Sequence, residues 1–266
     1  MKKITVPKLR GMKRQGEKIV MVTAYDAAIA NIIDEAGVDI VLVGDSLGNV
    51  VQGLPNTLPV TMDEMIYHTR IVSRGVRNAH LCGDMPFMSY QASKDEALRN
   101  AGRFVKEAGA ESVKLETSES YLDTIYAISK AGIPVMGHIG LCPQSIHLLG
   151  GYKIQGRDFD GAERLLQLAK ATEEAGAFSL VLESIPKDLA NKITESINIP
   201  TIGIGAGPFC DGQVLVINDL VGLSPEPIPR FVKRYAKIRE IMAKAVRNFI
   251  DEVKEGEFPD AEHSFN

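Results

Sequence analysis

The chain has 266 residues, of which 45% are hydrophobic, and carries a formal net charge of -4. This length and composition suit a single large domain with a buried core. The 30 basic residues are dispersed along the chain, which argues against a nucleic-acid partner and favours a small-molecule ligand. The three cysteines form no C-x-x-C pair, and no apolar stretch has the length of a signal peptide or a membrane span. We therefore expect a soluble, cytoplasmic protein without a disulfide framework or a structural zinc site.

Eight apolar runs, rich in β-branched residues, predict the buried strands of a parallel sheet. An Ala-Gly pair precedes four of these runs, and its glycine suits the left-handed position that follows a last helical turn. Eight strands that alternate with helices predict a closed (β/α)8 barrel of the TIM type. A doubly wound open sheet is the alternative, because the number of strands does not prove closure. The predicted strands are residues 19–23, 40–43, 79–82, 112–115, 134–136, 178–182, 200–204 and 214–217.

The segments between the strands carry residues that start helices. Thr61 and Ser93 are each followed three residues later by a glutamate, which is the pattern of a capping box. Residues 231–249 have the pattern of a long terminal helix. We therefore predict one barrel domain over residues 1–250 and a loose, polar C-terminal tail over residues 251–266.

Acidic residues and one histidine stand at the ends of five neighbouring predicted strands. In a parallel barrel these ends meet at one mouth, where active sites form. Several carboxylates that face one cavity repel each other unless a cation or a proton offsets their charge. Ligands that are mainly oxygen atoms favour Mg²⁺ or a similar hard ion over zinc. The residues expected to converge are Asp45, Asp84, Glu116, His138 and Glu183.

Two further polar residues belong to this predicted mouth. Lys114 lies two residues before Glu116 and therefore on the same face of its strand. It could bind a substrate carboxylate or hold negative charge that develops on a keto oxygen, and the alternative is a structural ion pair. Ser46 could contact a ligand or only cap the next helix, and the cap alternative applies to Asp45 and Asp84 as well.

A glycine-rich turn and a loop cysteine are less specific. Residues 203–208, Gly-Ile-Gly-Ala-Gly-Pro, follow the seventh predicted strand and could hold a phosphate or simply allow close backbone packing. Cys142 has no neighbouring base in the sequence, which favours a small loop residue over a nucleophile. Neither feature decides a function.

Six short motifs lie between residues 9 and 207. They are Leu9-Arg10-Gly11-Met12, Val43-Gly44-Asp45-Ser46-Leu47-Gly48, Leu58-Pro59-Val60-Thr61-Met62, Val113-Lys114-Leu115-Glu116, Gly137-His138-Ile139-Gly140-Leu141 and Ile202-Gly203-Ile204-Gly205-Ala206-Gly207. In this order the motifs are highly specific, and they resemble those of the ketopantoate hydroxymethyltransferase family. The region of resemblance extends over residues 5–252.

The resemblance implies an enzyme that transfers a one-carbon unit. Its co-substrate would be 5,10-methylenetetrahydrofolate, its acceptor 3-methyl-2-oxobutanoate, and its product 2-dehydropantoate (ketopantoate). The reaction would depend on Mg²⁺ and would be the first committed step of pantothenate and coenzyme A biosynthesis. A large homo-oligomer, a decamer, is implied in the same way.

The resemblance also implies roles for individual residues. Asp45 and Asp84 would bind the metal, and Glu116 would complete the site directly or through water. Glu183 would be the catalytic base. The residues implied to bind the oxo acid are Asp45, Ser46, Asp84, Lys114 and His138.

The sequence departs from the family pattern at three positions. Leu54 and Asn218 stand where histidine is common, and Cys142 stands where threonine is common. None of these positions belongs to the implied metal site or is the implied base.

Two other functions remain open at this point. A Mg²⁺-enolate barrel of the isocitrate lyase and phosphoenolpyruvate mutase type would share the metal chemistry, although the Lys-Lys-Cys-Gly-His segment of the lyases is missing. A non-catalytic barrel that binds a 2-oxo acid would have lost its base or its metal ligands. The implied metal ligands and base are all present, which disfavours that function: Asp45, Asp84, Glu116 and Glu183.

Overall fold

Eight parallel strands form the core of the structure, a computed structural model that describes residues 2–265. Each strand pairs with the next along the chain, and the last pairs with the first, where Val214 lies opposite Met21. This pairing closes the sheet, so the predicted (β/α)8 barrel is confirmed and the open sheet is excluded. The strands are β1 (Ile19–Thr23), β2 (Ile40–Val43), β3 (His80–Asp84), β4 (Ser112–Glu116), β5 (Val135–Gly140), β6 (Ser179–Glu183), β7 (Thr201–Ile204) and β8 (Gly212–Leu215).

Helices separate the strands and bury one apolar face each. The buried residues of the helix Lys94–Ala108 recur at helical spacing, and Phe104 among them packs over Gly83 of β3, where any side chain would collide with its ring. Within residues 2–265, every helix is too short or too polar to span a lipid bilayer. The helices are α1 (Val6–Gln15), α2 (Ala27–Glu35), α3 (Leu47–Val50), α4 (Met62–Val72), α5 (Lys94–Ala108), α6 (Leu122–Lys130), α7 (Ile146–Leu149), α8 (Phe159–Glu174), α9 (Lys187–Ser196), α10 (Ile217–Leu220) and α11 (Ile238–Glu255), with 3-10 turns at Glu119–Tyr121 and Pro143–Ser145.

The predicted helix starts are found at α4 and α5. Thr61 forms a complete capping box, because its side chain and that of Glu64 each accept a hydrogen bond from the other residue's backbone amide. At α5 the Ser93 side chain accepts a hydrogen bond from the Glu96 amide, and only this half of the predicted box forms within the described residues. Both helices therefore begin where the sequence indicates.

Several strand bounds differ from the prediction by one or two residues, and β5 continues to Gly140, four residues past its predicted end, so that it includes His138. Asp84, Glu116 and Glu183 are the last residues of their strands, although they were predicted to follow them. The eighth strand begins at Gly212 rather than at residue 214, because the glycine lets this strand approach β1 so closely that a Cβ would collide with the Ile19 carbonyl. These three acidic side chains are thus fixed by strand backbone, whereas Asp45 lies in the turn after β2.

Helix α1 packs against the N-terminal ends of the strands. Leu9 and Met12 share one buried apolar cluster with the barrel residues Ile19, Ile40 and Ile202. Burial of each such side chain contributes about 1.5–3 kcal/mol. The apolar core therefore occupies the N-terminal half of the barrel interior, and the polar residues collect at the opposite end.

The chain separates into two compact units, the first ending at Val216 and the second beginning at Ile217. The prediction of one domain over residues 1–250 stays a prediction. Met1 and Asn266, the outermost residues of the predicted domain and tail, lie outside the described residues.

The terminal helix was predicted with the wrong bounds at both ends. It begins at Ile238 rather than at residue 231, because the preceding segment turns back and Tyr235 N donates a hydrogen bond to Leu220 O. It continues past residue 249 to Glu255, where Gly256 adopts a left-handed conformation with φ of 76° and ends it. Residues 251–255 of the predicted loose tail are therefore helical.

Substitution of Gly140, at the end of β5, tests how tightly the barrel mouth is packed. Its φ is +99°, and a Cβ there would collide with the Glu183 carbonyl oxygen, whereas Gly132 has φ +88° and nothing within 4 Å of such a Cβ. We expect Gly132→Ala to lower the free energy of unfolding by about 1–2 kcal/mol from backbone strain alone. Gly140→Ala should lose about 2–5 kcal/mol because overlap adds to the strain. Urea unfolding of both variants measures the difference, and equal losses would contradict the close packing.

Candidate active site

Charged side chains collect at the C-terminal ends of β2 to β6. The strand register places Asp84 opposite Lys114 and Glu116 opposite His138 on neighbouring strands. Asp45 lies two residues after the end of β2, and Glu183 ends β6. All seven residues that the sequence assigned to the mouth lie at these strand ends: Asp45, Ser46, Asp84, Lys114, Glu116, His138 and Glu183.

A buried ion pair joins β3 to β4 in this cluster. Lys114 Nζ lies 2.8 Å from each carboxylate oxygen of Asp84, and the two side chains are 8% and 2% exposed. Burial acts to lower the pKa of Lys114, but Asp84 and Asp45 outweigh it and raise the pKa, so the ammonium keeps its charge. The structural ion pair that the sequence left as an alternative is therefore present.

Glu116 has one satisfied and one unsatisfied carboxylate oxygen. Its Oε1 accepts a hydrogen bond of 2.9 Å from the backbone amide of Gln144. Its Oε2 is buried and has no hydrogen-bond partner among the described residues. Burial, followed by the charge of Asp45, raises the pKa of Glu116 well above its ordinary value. A buried acceptor without a donor is costly, so this oxygen is suited to a cation or a proton.

Gln144 connects the carboxylates of two different strands. Its side-chain Nε2 donates to Asp45 Oδ2 at 2.9 Å and to the Met85 carbonyl at 3.0 Å, while its backbone amide holds Glu116. The Tyr90 hydroxyl donates to Gln144 Oε1 at 2.8 Å, which determines which end of the amide faces Asp45. The same hydroxyl accepts a hydrogen bond from the Glu116 amide at 3.2 Å. Gln144 thus orients the Asp45 carboxylate through its side chain and the Glu116 carboxylate through its backbone amide.

His138 and Glu183 form a second pair on β5 and β6. His138 Nε2 lies 3.2 Å from Glu183 Oε2, and the histidine is buried whereas the glutamate side chain is 17% exposed. Burial, followed by the charge of Lys114, lowers the pKa of His138. The imidazole is therefore neutral near pH 7, and the glutamate is the member of the pair that solvent or a ligand can reach.

Ser46 does not act as a helix cap. Its side chain makes no capping hydrogen bond at the start of α3, and its hydroxyl lies 2.8 Å from the Tyr25 hydroxyl instead. Asp45 and Asp84 likewise direct their side chains to Gln144 and Lys114. The cap alternative is thus not supported for these three residues.

Four residues of this region were not recognised from the sequence or were given no functional role. Tyr90, Gln144 and Cys142 lie in segments outside the strands, where no periodicity reveals which way a side chain points. Tyr152, in the segment after α7, has a pKa raised by burial and by the charges of Glu183 and Asp45. Only the short distance of Cys142 from His138 along the chain could have indicated that the two lie close together.

The glycine-rich turn after β7 is closely packed. A Cβ on Gly203 would lie 2.9 Å from Cys210 Sγ, and one on Gly207 would lie 2.5 Å from the Lys187 side chain. Gly207 also has φ of +77°. These contacts account for both glycines by backbone packing, which was one of the two interpretations of this turn.

A family model described as ketopantoate hydroxymethyltransferase matches residues 3–261. The chain belongs to the ketopantoate hydroxymethyltransferase family. A relative from Syntrophus aciditrophicus (strain SB), named 3-methyl-2-oxobutanoate hydroxymethyltransferase, is 55% identical over 99% of this chain and 97% of its own length. One of the same name from Geobacter metallireducens is 56% identical over 100% of this chain and 99% of its own. The family consists of transferase enzymes, so the non-catalytic alternative is not supported.

Solved structures share the fold of this ketopantoate hydroxymethyltransferase family member at low identity. Phosphonopyruvate hydrolase, crystallised with oxalate and Mg²⁺, has a TM-score of 0.63 at 14% identity and covers 98% of this chain and 93% of its own. A 2,3-dimethylmalate lyase of the phosphoenolpyruvate mutase and isocitrate lyase superfamily has a TM-score of 0.60 at 16% identity, covering 97% and 91%. These similarities confirm the barrel and say nothing about the reaction.

Removal of Lys114 should destabilise the barrel mouth. Lys114→Met leaves the Asp84 carboxylate buried without its cation, which we expect to lower the free energy of unfolding by about 3–5 kcal/mol. Lys94→Met, which removes the exposed ion pair with Asp123, should cost less than about 1 kcal/mol. Chemical unfolding of both variants provides the comparison.

The loss in Lys114→Met should also depend on pH. Even beside Lys114, burial raises the pKa of Asp84 to about 7, although the lysine and the Asp45 backbone amide act to lower it. Without the lysine, burial and the charge of Asp45 should raise this pKa further. A raised folded-state pKa gives stability that is present at low pH and is lost as the pH rises toward the folded-state pKa, so the loss in the variant should continue above about pH 7, where the loss in the wild type ends. An unfolding free energy of the variant that tracks the wild type across this range would argue against an uncompensated Asp84.

Proposed function

We propose that this protein transfers a hydroxymethyl group from 5,10-methylenetetrahydrofolate to 3-methyl-2-oxobutanoate, giving 2-dehydropantoate, with Mg²⁺ bound at the barrel mouth. The names of the close relatives support the acceptor. The observation that carries the proposal is the joint placement of a charged lysine, three carboxyl groups and the exposed edge of Glu183 at one set of strand ends. These groups suit the formation of an enolate from a 2-oxo acid. The hydroxymethyl transfer would be the first committed step of pantothenate and coenzyme A biosynthesis.

The residues at the mouth fit a hard divalent cation. Asp45, Asp84 and Glu116 supply carboxylate oxygens, the ligands that Mg²⁺ prefers, and Glu116 Oε2 is a buried acceptor without a donor. Lys114 is the ammonium that faces them and balances one negative charge. We assign Asp45 and Asp84 as direct ligands and Glu116 as a ligand directly or through water. When bound, the cation would draw electron density from the keto oxygen of the substrate and so make its C3 proton more acidic.

Glu183 is the proposed base for the first step. Its carboxylate takes the C3 proton, the C3–H bond breaks, and the electron pair forms the enolate of the oxo acid. The neutral imidazole of His138, 3.2 Å away at Nε2, can donate a hydrogen bond that keeps the glutamate oriented. The partial exposure of Glu183 supports this role, because a base must reach the substrate.

Lys114 is the proposed electrostatic partner of the enolate. Two of its three N–H donors are directed at the Asp84 oxygens, which leaves one for the developing charge on the keto oxygen. Ser46, close to the Tyr25 hydroxyl, and His138 would contact the remainder of the oxo acid. The enolate carbon then attacks the folate methylene carbon, and one of the two carbon–nitrogen bonds of that carbon breaks as the carbon–carbon bond forms. Water breaks the second carbon–nitrogen bond: its hydroxyl group goes to the methylene carbon and its proton to the nitrogen, so that tetrahydrofolate leaves.

The proposal includes the homo-oligomer, a decamer, that the family resemblance implies. Apolar side chains of α11 are exposed on one helical face, namely Met242, Val246, Phe249 and Val253. Exposed apolar faces of this kind are typical of protein interfaces. This face supports assembly without defining the number of subunits.

Glu183→Gln tests the base. The amide has the same shape but cannot accept the C3 proton, so we expect metal-dependent exchange of this proton in D₂O to slow by about 10²–10⁴-fold. Proton NMR of 3-methyl-2-oxobutanoate measures the exchange, and titration calorimetry measures substrate binding, which should be largely retained. Equal loss of exchange and binding would contradict the role. In the wild type, exchange without product after addition of 5,10-methylenetetrahydrofolate would mean that the one-carbon donor is wrong.

Gln144→Met tests the orientation of the metal-binding carboxylates. The variant keeps the side-chain volume but removes the donor to Asp45, and loss of such an outer partner typically weakens metal binding by about 10–100-fold. Titration with Mn²⁺, followed by electron paramagnetic resonance, measures the affinity without substrate. Gln167→Met on the exposed face of α8 is the matched control. Unchanged Mn²⁺ affinity in Gln144→Met, with only a loss of stability, would leave Gln144 a purely structural residue.

A further inference from the structure

A group of three dissimilar ligands lies beside the proposed magnesium site. Glu116, His138 and Cys142 each offer one ligand atom, and these atoms all lie within 4.8 Å of one another. Glu116 and His138 are opposite each other on β4 and β5, and the turn after β5 brings the Cys142 thiol to 3.8 Å from the His138 carbonyl. An oxygen, a nitrogen and a sulfur ligand thus converge at one place.

Several polar atoms of this group have no hydrogen-bond partner within the described residues. They are Glu116 Oε2 and both ring nitrogens of His138, and all three atoms are buried. His138 Nε2 lies 3.2 Å from Glu183 Oε2, so one ring nitrogen faces that carboxylate. A histidine that binds a metal through one nitrogen and faces a carboxylate with the other is a common arrangement in metal sites. The unpartnered oxygen and imidazole therefore indicate a ligand that satisfies both residues.

We propose that Glu116, His138 and Cys142 bind a thiophilic divalent cation of the zinc class. Mg²⁺ is a poor match, because it prefers oxygen ligands, whereas zinc accepts sulfur, nitrogen and oxygen together. Zinc-to-ligand distances of about 2.0–2.3 Å place tetrahedral ligand atoms roughly 3.3–3.8 Å apart. Side-chain rotations that move these ligand atoms by about one ångström therefore bring them to coordination distance. Coordination forms a zinc–sulfur bond, breaks the S–H bond of Cys142 and releases that proton to solvent.

The two cations would compete for Glu116. A zinc-class ion bound through Oε2 occupies the oxygen that the proposed magnesium site requires, and it fixes His138 beside the proposed base Glu183. The ion should therefore inhibit the transferase. This consequence rests on the proposed function, whereas binding of the ion itself does not.

Cobalt spectroscopy tests the site independently of activity. Co²⁺ added to the full-length protein should give the near-ultraviolet charge-transfer absorption of a thiolate bound to cobalt. The absorption should vanish in Cys142→Ser, and Zn²⁺ affinity should fall by more than about tenfold. Cys210→Ser, which changes a buried cysteine outside the group, is the matched control and should retain both signals. Absence of the thiolate absorption in the wild type, or equal Zn²⁺ affinity in Cys142→Ser, would overturn the site.

Inhibition is measured separately, with each variant normalised to its own rate in Mg²⁺ alone. Added Zn²⁺ should inhibit the wild type and Cys210→Ser at concentrations more than about tenfold below those needed for Cys142→Ser. Equal inhibition of all three proteins, with the thiolate absorption present in the wild type, would overturn the competition and leave the site standing. A protein without transferase activity would still report binding through cobalt, so failure of the proposed function is distinguishable.

Discussion

Closure of a parallel barrel places the ends of all its strands around one small opening, and this constraint determines the electrostatics of the molecule. Each of β3, β4 and β6 ends in an acidic residue, and Asp45 follows β2, so carboxyl groups meet where little solvent screens them. Lys114 offsets part of this charge from inside the barrel wall, and the buried ion pair with Asp84 joins two strands. The charge that remains supports the cation site that we propose at the mouth.

Glu116 links the two metal sites that we propose. One of its oxygens is held by the Gln144 amide, so the side chain cannot turn away from the cluster, while the other oxygen has no hydrogen-bond partner in the described chain. The groups around Glu116 differ in chemistry: the charges of Asp45 and Asp84 act on its carboxyl group, and ligand atoms of His138 and Cys142 lie within 4.8 Å. A hard and a soft cation would therefore find different ligands on the two sides of one carboxylate.

The sequence predicted what depends on the strands and missed what depends on the segments between them. A period of two residues placed Lys114 and Glu116 on one face, and position along the strands placed Asp84 and Glu183 at the mouth. Gln144 could not be found in this way, because it lies in a short 3-10 turn with no periodicity and its role depends on Tyr90, 54 residues earlier in the chain. The start of α11 was missed for a similar reason, since a hydrogen bond to Leu220 holds the segment before it.

The distribution of functional residues between strands and connecting segments is also relevant to why barrels of this kind catalyse different reactions. Phosphonopyruvate hydrolase and 2,3-dimethylmalate lyase share the fold at 14% and 16% identity, so the strand framework alone does not select a substrate. In this chain the strands carry the ion pair and the proposed base, whereas residues outside them, such as Gln144 and Cys142, orient the carboxylates or add a soft ligand. Because position 142 lies outside the strands, we expect a substitution there to change which cation the mouth favours without changing the strand pairing. Selectivity for the metal can therefore vary between related barrels while the framework stays the same.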